Sequence, residues 1–594
     1  MGVNGGAELQ PEAGGAELWH PRGDFALGDE EQIELNMPAM AERISWLFEG
    51  LAICLLVALP LGCSVPAADG PSDSFGLDFT LPEGSQARGV VIFVVDGVNA
   101  VTFQQLLDAG DLPAIQKYFV ERGLYVPRAA ASHPSLTMDN LTSIVTGRFP
   151  GHHGLVAAKS FDRDRLVFRN YETLQDKNKL DEDYRAPTLY QQFPDDLTFS
   201  LFLQPHAGAT YFFENRTTAG PAIAFGLYGL VDRLALYRFH QVTDIARRYG
   251  RFPAVSTVYQ LSVNFAAYEY GASSEQYRQA IRDLDRQFGR VLGDLKRAGL
   301  LDRIIVAFVS DHGHCDTPRH GKIAEFVESL GIKLADATPL GEETSFEQRL
   351  KYFGQVTAVP YGPGDRYWVL YLRKPVYTGG QCVLGNWLQR PDPEDLCNYP
   401  VRNGKANLPQ LLAEQPYVDA VAYRVGPGRV RVVRKAGQVE FRDEGGPPER
   451  PQEKSSYHLI SGTDPLDWAG KVPANALAGE PLTSRQWLQA TAQTELPDLG
   501  IGLLSYFEGA LAADLVIFPG PQWDFDGWRH AGHGGIRAAE MFSPMLIAGP
   551  GIPRGRIPVA RTVDLMPTLL EALGKPVPAG LDGESLLSNE PVRP

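Results

Sequence analysis

The chain has 594 residues, enough for more than one ordinary domain and for a large buried core. Hydrophobic residues make up 44% and charged residues 21% of it, a balance typical of globular proteins that excludes a largely disordered chain. The formal net charge of −16 argues against nucleic acid as a bulk partner.

The N-terminal residues 1–62 have the pattern of a tail followed by a signal-like segment. Residues 1–37 are strongly acidic and indicate a disordered tail or a start codon placed too early. Arg43 then precedes the apolar run 51–62, which ends at Cys63. This pattern is similar to a bacterial lipoprotein signal peptide and predicts a lipidated Cys63 that anchors the protein to a membrane. The expected location is the bacterial cell envelope, lipid-anchored or periplasmic or extracellular; a single N-terminal anchor helix is the alternative.

Strand and helix patterns alternate along the rest of the chain. Apolar runs predict strands, and helical periodicity or a nearby stop signal predicts helices. The predicted strands are 88–96, 303–310, 512–518 and 544–548, and the predicted helices are 104–122, 137–145, 278–298 and 564–574. Together they predict an α/β fold, a doubly wound and mostly parallel sheet sandwiched by helices.

Composition changes between residues 322 and 500, where Pro, Gly and charged residues dominate. Runs 418–425 and 430–433 predict strands around a Gly-Pro-Gly turn. We interpret this block as an inserted smaller cap region over the carboxyl edge of the sheet. The predicted organisation lists five parts: tail and signal-like segment 1–62, linker 63–87, core 88–321, insertion 322–500 and second core part 501–594.

Two predicted strands end in residue types that bind metals. One ends at Asp96, and the other is followed by Asp311 and His312. The carboxyl ends of neighbouring parallel strands lie at one edge of a sheet, so these side chains are expected to meet. Carboxylates and imidazole suit Zn²⁺ or another divalent cation. Thr137 opens the next predicted helix, and a hydroxyl there indicates a nucleophile that needs such a cation to activate it.

The motif around Thr137 is the most informative in the chain. Residues 135–147 read Ser-Leu-Thr-Met-Asp-Asn-Leu-Thr-Ser-Ile-Val-Thr-Gly, and His153-Gly154 follows. At these residues the chain resembles the alkaline phosphatase superfamily, most closely its branch of type I phosphodiesterases and nucleotide pyrophosphatases. That branch has a Thr nucleophile with an Asn three residues later, here Thr137 and Asn140. The resemblance covers 88–160, 252–320 and 511–587 in the family's order.

The resemblance implies roles for these positions. Asp96, Thr137, Asp311 and His312 match the ligands of one metal, and Asn140 matches the donor to a phosphate oxygen. The chain departs from the motif at two places, where Asp139 replaces a Pro and Leu141 replaces a His.

A second metal site is also implied, and here the chain departs further from the family. The branch normally supplies an Asp, a His four residues later and a distant His before Gly, but this chain has Asn264, Tyr268 and His533. An amide and a phenol are weak ligands for zinc. The alternatives are one tightly bound metal, a rearranged second site, or a catalytically silent relative. A rearranged site has four candidate ligands: Glu269, His314, Asp316 and His530.

The expected function is a metal-dependent hydrolase of small phosphate mono- or diesters. In the family the first metal activates the Thr, and the second helps to bind the leaving group and to activate water. Loss of the second metal therefore predicts that the phosphothreonyl intermediate forms faster than it is hydrolysed. The alternative is a non-catalytic envelope lipoprotein that binds an anionic ligand or glycan. A sulfatase is less favoured, because Thr137 lies outside the Cys or Ser motif that sulfatases convert to formylglycine.

Three cysteines lie beyond the predicted lipidation site. Cys382 and Cys397 are spaced to close a short loop in an oxidising compartment. Cys315, three residues after His312, is either a soft metal ligand or a buried thiol.

Overall fold

A computed structural model describes residues 89–587, apart from 215, 250–251, 337–339, 363–365, 380 and 447–452. The predicted signal-like segment and the Cys63 lipidation site lie outside these residues. Within the described part of the chain, no helix is both long and apolar enough to cross a bilayer.

A central sheet of nine strands forms the core of the fold. Its strands, in spatial order, are Gly555–Arg556, Gly123–Ala130, Phe542–Ala548, Ile305–Ser310, Val90–Val95, Val255–Gln260, Thr198–Leu201 and Tyr211–Phe213, and Ala560–Arg561 also pairs with Gly123–Ala130. All the pairings are parallel except those of Phe542–Ala548, which is antiparallel to both of its neighbours. The prediction of a mostly parallel α/β sheet is therefore confirmed.

The strand Val90–Val95 shows why this sheet is covered on both faces. All six of its residues are buried, as expected for a central parallel strand. Val91, Phe93 and Val95 pack into the apolar layer on one face, and their alternating neighbours pack into the layer on the other. The first layer includes helix Glu275–Arg297. The second includes helices Thr137–Thr146 and Leu565–Ala572. Helices therefore cover both faces of the sheet.

The helices predicted beside the sheet are present with shifted ends. The pattern at 104–122 is divided, since helix Ala100–Asp108 stops before Gly110 and a short π-helical turn, Gln116–Val120, follows Pro113–Ile115. The remaining α-helices are Pro150–His153, Leu174–Lys177, Leu180–Asp183, Arg216–Ala224, Tyr228–Tyr249, Ser262–Tyr270, Ile323–Ser329, Phe346–Phe353, Pro393–Cys397, Leu408–Ala413, Ala474–Leu477, Ser484–Thr491, Leu499–Glu508 and Ala538–Met541. Two short 3₁₀ turns occur at Tyr190–Gln192 and Thr562–Asp564.

A second, antiparallel sheet has eight strands. In spatial order they are Ala358–Tyr361, Trp368–Leu372, Leu515–Pro519, Val418–Gly426, Arg429–Arg434, Gly437–Gly445, Lys454–Gly462 and Leu482–Thr483. The run 512–518 is predicted as a strand of the central sheet, and this prediction is wrong, because Leu515–Pro519 lies in the second sheet. The strand is fully buried between two strands of the second sheet, and such an apolar run has the same sequence pattern in either sheet.

Five two-stranded pairs complete the β structure. They are Lys159–Asp162 with Val167–Asn170, Arg319–Gly321 with Trp523–Phe525, Pro375–Thr378 with Gln381–Leu384, Tyr399–Val401 with Gly404–Ala406, and Cys315–Asp316 with Ala531–Gly532. Cys315, Cys382 and Cys397 are free thiols, so the structure does not contain the predicted bridge.

Candidate metal and phosphoester site

Two adjacent strands of the central sheet deliver the three predicted ligands. Val95 and Ser310 are paired in parallel register, so the residues that follow them, Asp96 and Asp311, come out side by side at the carboxyl edge. The backbone amide of Gly97 donates to Asp311 Oδ1 at 3.1 Å and ties the two strand ends together. His312 follows directly. Ligand atoms of Asp96, Asp311 and His312 all lie within 4.8 Å of one another, and all three side chains are buried.

Thr137 comes to this cluster from the opposite direction. It is the first residue of helix Thr137–Thr146, and it is partly exposed, so its hydroxyl is open to a ligand. Its Oγ1 lies 3.1 Å from His312 Nε2. The same nitrogen lies 3.4 Å from Asp96 Oδ1 and 3.4 Å from Asp311 Oδ2. The four predicted ligands therefore converge on one point.

Hydrogen bonding shows which atoms remain for a metal. Asp96 Oδ1 and Asp311 Oδ2 are buried and have no hydrogen-bond partner, which is costly for a carboxylate. His312 Nδ1 bonds to the carbonyl of Gly313 at 3.0 Å. Since a carbonyl only accepts, Nδ1 carries the proton and Nε2 keeps its lone pair toward Thr137. These donors fit a divalent cation that has oxygen and nitrogen ligands.

The electrostatics of the buried cluster lead to the same interpretation. Burial raises the pKa of Asp96 to about 7, although the hydroxyl of Tyr259 donates to it and opposes the shift. Burial, and then the neighbouring Asp96, raise the pKa of Asp311 well above its usual range. Burial also lowers the pKa of His312, which keeps the imidazole neutral. Burial thus disfavours the charged form of both carboxyls, and a cation bound between them would favour it.

The predicted second-site positions lie beside this cluster but are bonded differently. Asn264 and Tyr268 are on helix Ser262–Tyr270. The Tyr268 hydroxyl lies 2.5 Å from His533 Nε2, and His533 Nδ1 lies 2.9 Å from the carbonyl of Ser135. Because that carbonyl takes the Nδ1 proton, Nε2 is the acceptor and Tyr268 is the donor. The lone pair that His533 would offer to a metal is thus taken by a phenol proton.

His314 lies beside Asn264 and His533, and these residues with Tyr268 form the second half of the site. It is buried, and its Nε2 lies 2.6 Å from Asn264 Oδ1. Gly97, at a φ of 73°, passes so close that a Cβ there would lie 2.6 Å from His314 Nε2. The ring of His314 is also 5.2 Å from that of His533. The amide of Asn264 therefore occupies Nε2 of His314, whereas the buried Nδ1 of His314 has no hydrogen-bond partner.

The other three candidates for a rearranged site are not part of this layer. Glu269 and His530 are exposed. Asp316 is partly buried, but its carboxylate accepts from the backbone and hydroxyl of Ser273. Of the four candidates, only His314 lies among the site histidines. Cys315 is partly buried and free, and it is not a member of the described ligand group.

The side chain of Asn140 is bonded to the backbone of the turn before Thr137. Its side-chain oxygen accepts from the amide of Ser132 at 2.6 Å. Its side-chain nitrogen donates to the carbonyls of Pro134 at 2.9 Å and Leu136 at 2.8 Å. The residue is completely buried. The amide therefore holds together the turn that leads to Thr137, and its role as donor to a phosphate oxygen stays a prediction.

Two residues near the site were not found from the sequence. Tyr259, at the end of strand Val255–Gln260, donates to Asp96. The guanidinium of Arg529 lies 4.0 Å above the ring of Tyr268. Tyr259 lies inside its strand and pairs with Val94, so the rule that selects residues following a strand does not identify it. No local pattern marks Arg529, because its neighbour Tyr268 is distant in sequence.

Comparison with known proteins agrees with this geometry. Residues 90–344 match the family model of type I phosphodiesterase / nucleotide pyrophosphatase. The matched range contains Asp96, Thr137, Asp311 and His312, and it confirms the resemblance found from the motifs.

Curated relatives share the same part of the chain. An ectonucleotide pyrophosphatase/phosphodiesterase family member 3 of Bos taurus is 25% identical over 260 residues, 42% of this chain and 28% of that protein. A bis(5'-adenosyl)-triphosphatase of Xenopus laevis is 24% identical over 273 residues, 44% of this chain and 55% of that protein. An uncharacterized pyrophosphatase/phosphodiesterase of Schizosaccharomyces pombe is 22% identical over 319 residues, 50% and 62% of the two chains. The chain thus spans less than two thirds of each of these relatives.

Proposed function

We propose that this chain, whose residues 90–344 match the type I phosphodiesterase / nucleotide pyrophosphatase family, is a hydrolase of small phosphate esters that uses Thr137 as nucleophile and one tightly bound divalent cation. The observation that supports this most strongly is the pair of buried, unpartnered carboxylate oxygens, Asp96 Oδ1 and Asp311 Oδ2, beside Thr137 and His312. A cation bound between these oxygens would give both of them a partner and would stabilise their charge.

The ligand set favours zinc. Asp96 and Asp311 supply carboxylate oxygens, His312 supplies a neutral nitrogen, and Thr137 supplies a hydroxyl oxygen. Zn²⁺ takes four ligands of these types, although other divalent cations accept them as well. When bound, the cation lowers the pKa of the Thr137 hydroxyl and neutralises charge on the phosphate.

The proposed reaction has two steps, transfer of the phosphoryl group to Thr137 and its release by water. The Thr137 hydroxyl gives its proton to water, its oxygen attacks phosphorus, and the bond from phosphorus to the leaving oxygen breaks, so that the leaving group departs with the bonding electrons. A monoester leaves a phosphothreonine, and a diester leaves a phosphothreonine that keeps the second ester group. Attack by water on the same phosphorus releases phosphate or a phosphate monoester and returns the hydroxyl. Asn140 keeps the loop before Thr137 in place through four bonds to the backbone. With a single cation, the water step is the slower one.

The proposed substrates are small phosphate diesters or monoesters. The relatives are named as phosphodiesterases and pyrophosphatases, which favours diesters. The net charge of −16 argues against a polynucleotide. Rapid-mixing kinetics with bis(4-nitrophenyl) phosphate and with 4-nitrophenyl phosphate test this proposal. We expect a burst of nitrophenolate followed by slow turnover, and both should disappear on treatment with a chelator. Phosphate and metal binding without any turnover would instead indicate the non-catalytic binding protein.

We also propose that the mature chain begins at Cys63 and is held to the envelope membrane by acyl groups. The support is the apolar run 51–62 that ends at Cys63. Mass spectrometry of the membrane fraction tests it. A soluble mature protein that still carries residues 1–62 would contradict it.

A further inference from the structure

Three arginines lie together on one face of the antiparallel sheet, outside the site described above. Arg429 and Arg431 alternate along one strand, and Arg442 lies directly opposite Arg429 on the next strand. Glu440 lies directly opposite Arg431. The residues that alternate with these four pack into the core on the other face of the sheet: Val430, Val432, Val439 and Phe441. The three arginines, here called the arginine cluster, therefore share the face that is turned away from this core.

A single buried carboxylate holds the arginine cluster together. Glu440 Oε1 accepts from Nε and Nη2 of Arg429, at 2.9 Å and 2.7 Å, and from Nε of Arg442 at 2.7 Å. Its Oε2 accepts from Nη2 of Arg431 at 2.6 Å. The Glu440 side chain is fully buried, while those of Arg429 and Arg442 are 46% and 38% exposed. The carboxylate thus fixes the guanidiniums from below and leaves their outer edges to solvent.

The positive charge of the arginine cluster is only partly neutralised. Burial alone would raise the pKa of Glu440, but the hydrogen bonds from the three arginines outweigh it and lower this pKa to about 2. Three guanidiniums thus share one full negative charge. Like charges that lie directly opposite each other across two strands, here Arg429 and Arg442, are destabilising. An anion bound above them would relieve this repulsion.

The arginine cluster also has unused hydrogen-bond donors. Its bonds to Glu440 occupy Nε and Nη2 of Arg429, Nη2 of Arg431 and Nε of Arg442. Among the described residues, the remaining guanidinium nitrogens have no hydrogen-bond partner, and one of them, Nε of Arg431, is buried as well. A guanidinium donates in parallel pairs to the oxygens of a phosphate. The cluster therefore has both the charge and the donors for an oxyanion.

Two further groups border the arginine cluster on the neighbouring strand. His458 lies opposite Glu440, and Ser456 lies opposite Arg442. The Ser456 hydroxyl donates to Glu444, so it accepts from His458 Nε2 at 2.9 Å. Among the described ion pairs, none joins Glu444 to the three arginines. The negative charge of Glu444 therefore reduces the positive excess of this face to one without occupying an arginine donor.

We propose that the arginine cluster is an anion site that binds a phosphate group. A phosphate group combines negative charge with several strong acceptor oxygens, so it can accept from two guanidiniums at once. None of the three arginines belongs to the cation site, so the inference goes beyond the proposed ester hydrolysis and does not depend on it. The phosphate group belongs either to a soluble anion or to a lipid headgroup, and the experiment distinguishes these two sources.

Calorimetry with inorganic phosphate on the full chain, loaded with its cation, tests the proposal. The double variant Arg429→Gln, Arg442→Gln removes the two most exposed guanidiniums and leaves Arg431 paired with Glu440. The titration is repeated with the protein on vesicles of phosphatidylcholine and on vesicles that also contain phosphatidylglycerol. A headgroup that occupies the arginine cluster would weaken phosphate binding only on the second kind of vesicle, and only where the arginines are present.

Arg424→Gln is the matched control. Arg424 lies on the adjacent strand opposite Val430, and so on the other face of the sheet. Its Nη1 donates to the carbonyl of Phe507 at 3.3 Å. The control removes one positive charge from the same sheet without touching the arginine cluster, so it measures the general effect of charge on phosphate binding.

In the wild type we expect two phosphates per chain, one at the cation site and one at the arginine cluster, and the double variant should lose one of them. Each single Gln change should weaken the second phosphate by roughly 10- to 100-fold, the range of one charged hydrogen bond. The value of kcat/KM with bis(4-nitrophenyl) phosphate should stay the same in all variants. Weaker binding on phosphatidylglycerol vesicles identifies a lipid headgroup as the source, and equal binding on both vesicles identifies a soluble anion.

A double variant that binds as many phosphates as the wild type, with unchanged affinity, would overturn the inference. An equal loss in Arg424→Gln would overturn it too. If the double variant does not fold, the single variant Arg429→Gln decides the question, because Glu440 still keeps two arginines. A wild type that binds one phosphate, which the double variant then loses, would count against the proposed cation site and leave this inference standing, so the two failures are distinguishable.

Discussion

The two halves of the site both contain buried histidines, but the partners of these histidines differ. In the first half, Asp96 and Asp311 leave carboxylate oxygens unpartnered around the His312 lone pair. In the second half, His533 and His314 are already bonded to Tyr268 and Asn264. A bound cation would give the unpartnered carboxylate oxygens a partner, whereas Nε2 of each second-half imidazole already has one in a phenol or an amide. A position that has lost a metal ligand can therefore be recognised in two ways. The ligand residue is replaced, and the remaining histidines are hydrogen-bonded to the replacement.

The largest effect should come from the nucleophile. Thr137→Ala removes the oxygen that attacks phosphorus, so burst and steady-state turnover should both fall by at least about a thousandfold. Rapid-mixing kinetics with bis(4-nitrophenyl) phosphate measures both phases. Thr142→Ala is the control, because its hydroxyl lies one turn away on the same helix and donates only to the carbonyl of Met138 at 2.8 Å. Undiminished turnover in Thr137→Ala would show that Thr137 is not the nucleophile.

The next effect concerns the ion in the first half. In Asp311→Asn, one amide oxygen still accepts from the backbone of Gly97 and His312, but the charge is lost. Ion affinity should fall by more than about a hundredfold, and activity with it. In excess chelator, however, the variant should unfold at a higher temperature than the wild type, because it no longer buries two adjacent carboxylates.

Asp285→Asn is the control for this change. Asp285 is also buried, and it accepts from the backbone amides of Ala114 and Ile115, far in sequence from the site. It should keep its ion. An Asp311→Asn protein that binds the ion as tightly as the wild type would show that the carboxylate of Asp311 is not a metal ligand.

A smaller effect tests the role of Asn140. If its amide holds the turn before Thr137, Asn140→Ala should lower the free energy of unfolding by about 1–3 kcal/mol, since buried backbone groups lose their partners. Phosphate affinity should change little. Denaturant unfolding measures the change in stability, and calorimetry on the same preparation measures the affinity for phosphate. A stable variant that binds phosphate weakly would instead support the donor role implied by the motif.

The last prediction concerns stability alone and a histidine outside the site, His152. Burial alone would lower the pKa of His152, but the carboxylates of Asp582 and Glu508 outweigh it and raise this pKa to about 10. A raised folded pKa contributes stability that is complete below the unfolded value of about 6.5 and is lost as pH rises through about 10. Thermal unfolding between pH 6 and 10 should show this loss, and His152→Gln should remove it without changing ion content. A pH-independent wild type would contradict the assignment.

Much of the site could be predicted because its residues follow local rules. Asp96, Asp311 and His312 come directly after buried strands, and Thr137 opens a helix, so each is marked by the pattern around it. The ends of parallel strands meet whatever the rest of the fold does. These ligand positions follow from strand and helix boundaries, which are local properties of the sequence.

Other features depend on contacts between distant residues and were missed or misassigned. The backbone bonds of Asn140 depend on how residues 132–136 turn, which the motif does not encode. Leu515–Pro519 is apolar enough for either sheet, and only pairing with Trp368–Leu372 and Val418–Gly426 decides between them. The position of Arg529 above Tyr268 joins segments 261 residues apart in number. Physical proximity of this kind has no signature in a single sequence.

The most direct measurement of the central claim is the number of divalent ions per chain, by elemental analysis after chelator-free purification. We expect one ion per chain in the wild type, bound by Asp96, Thr137, Asp311 and His312. We expect two in the Asn264→Asp, Tyr268→His protein, together with faster steady-state turnover. Two ions in the wild type, or none, would contradict this account.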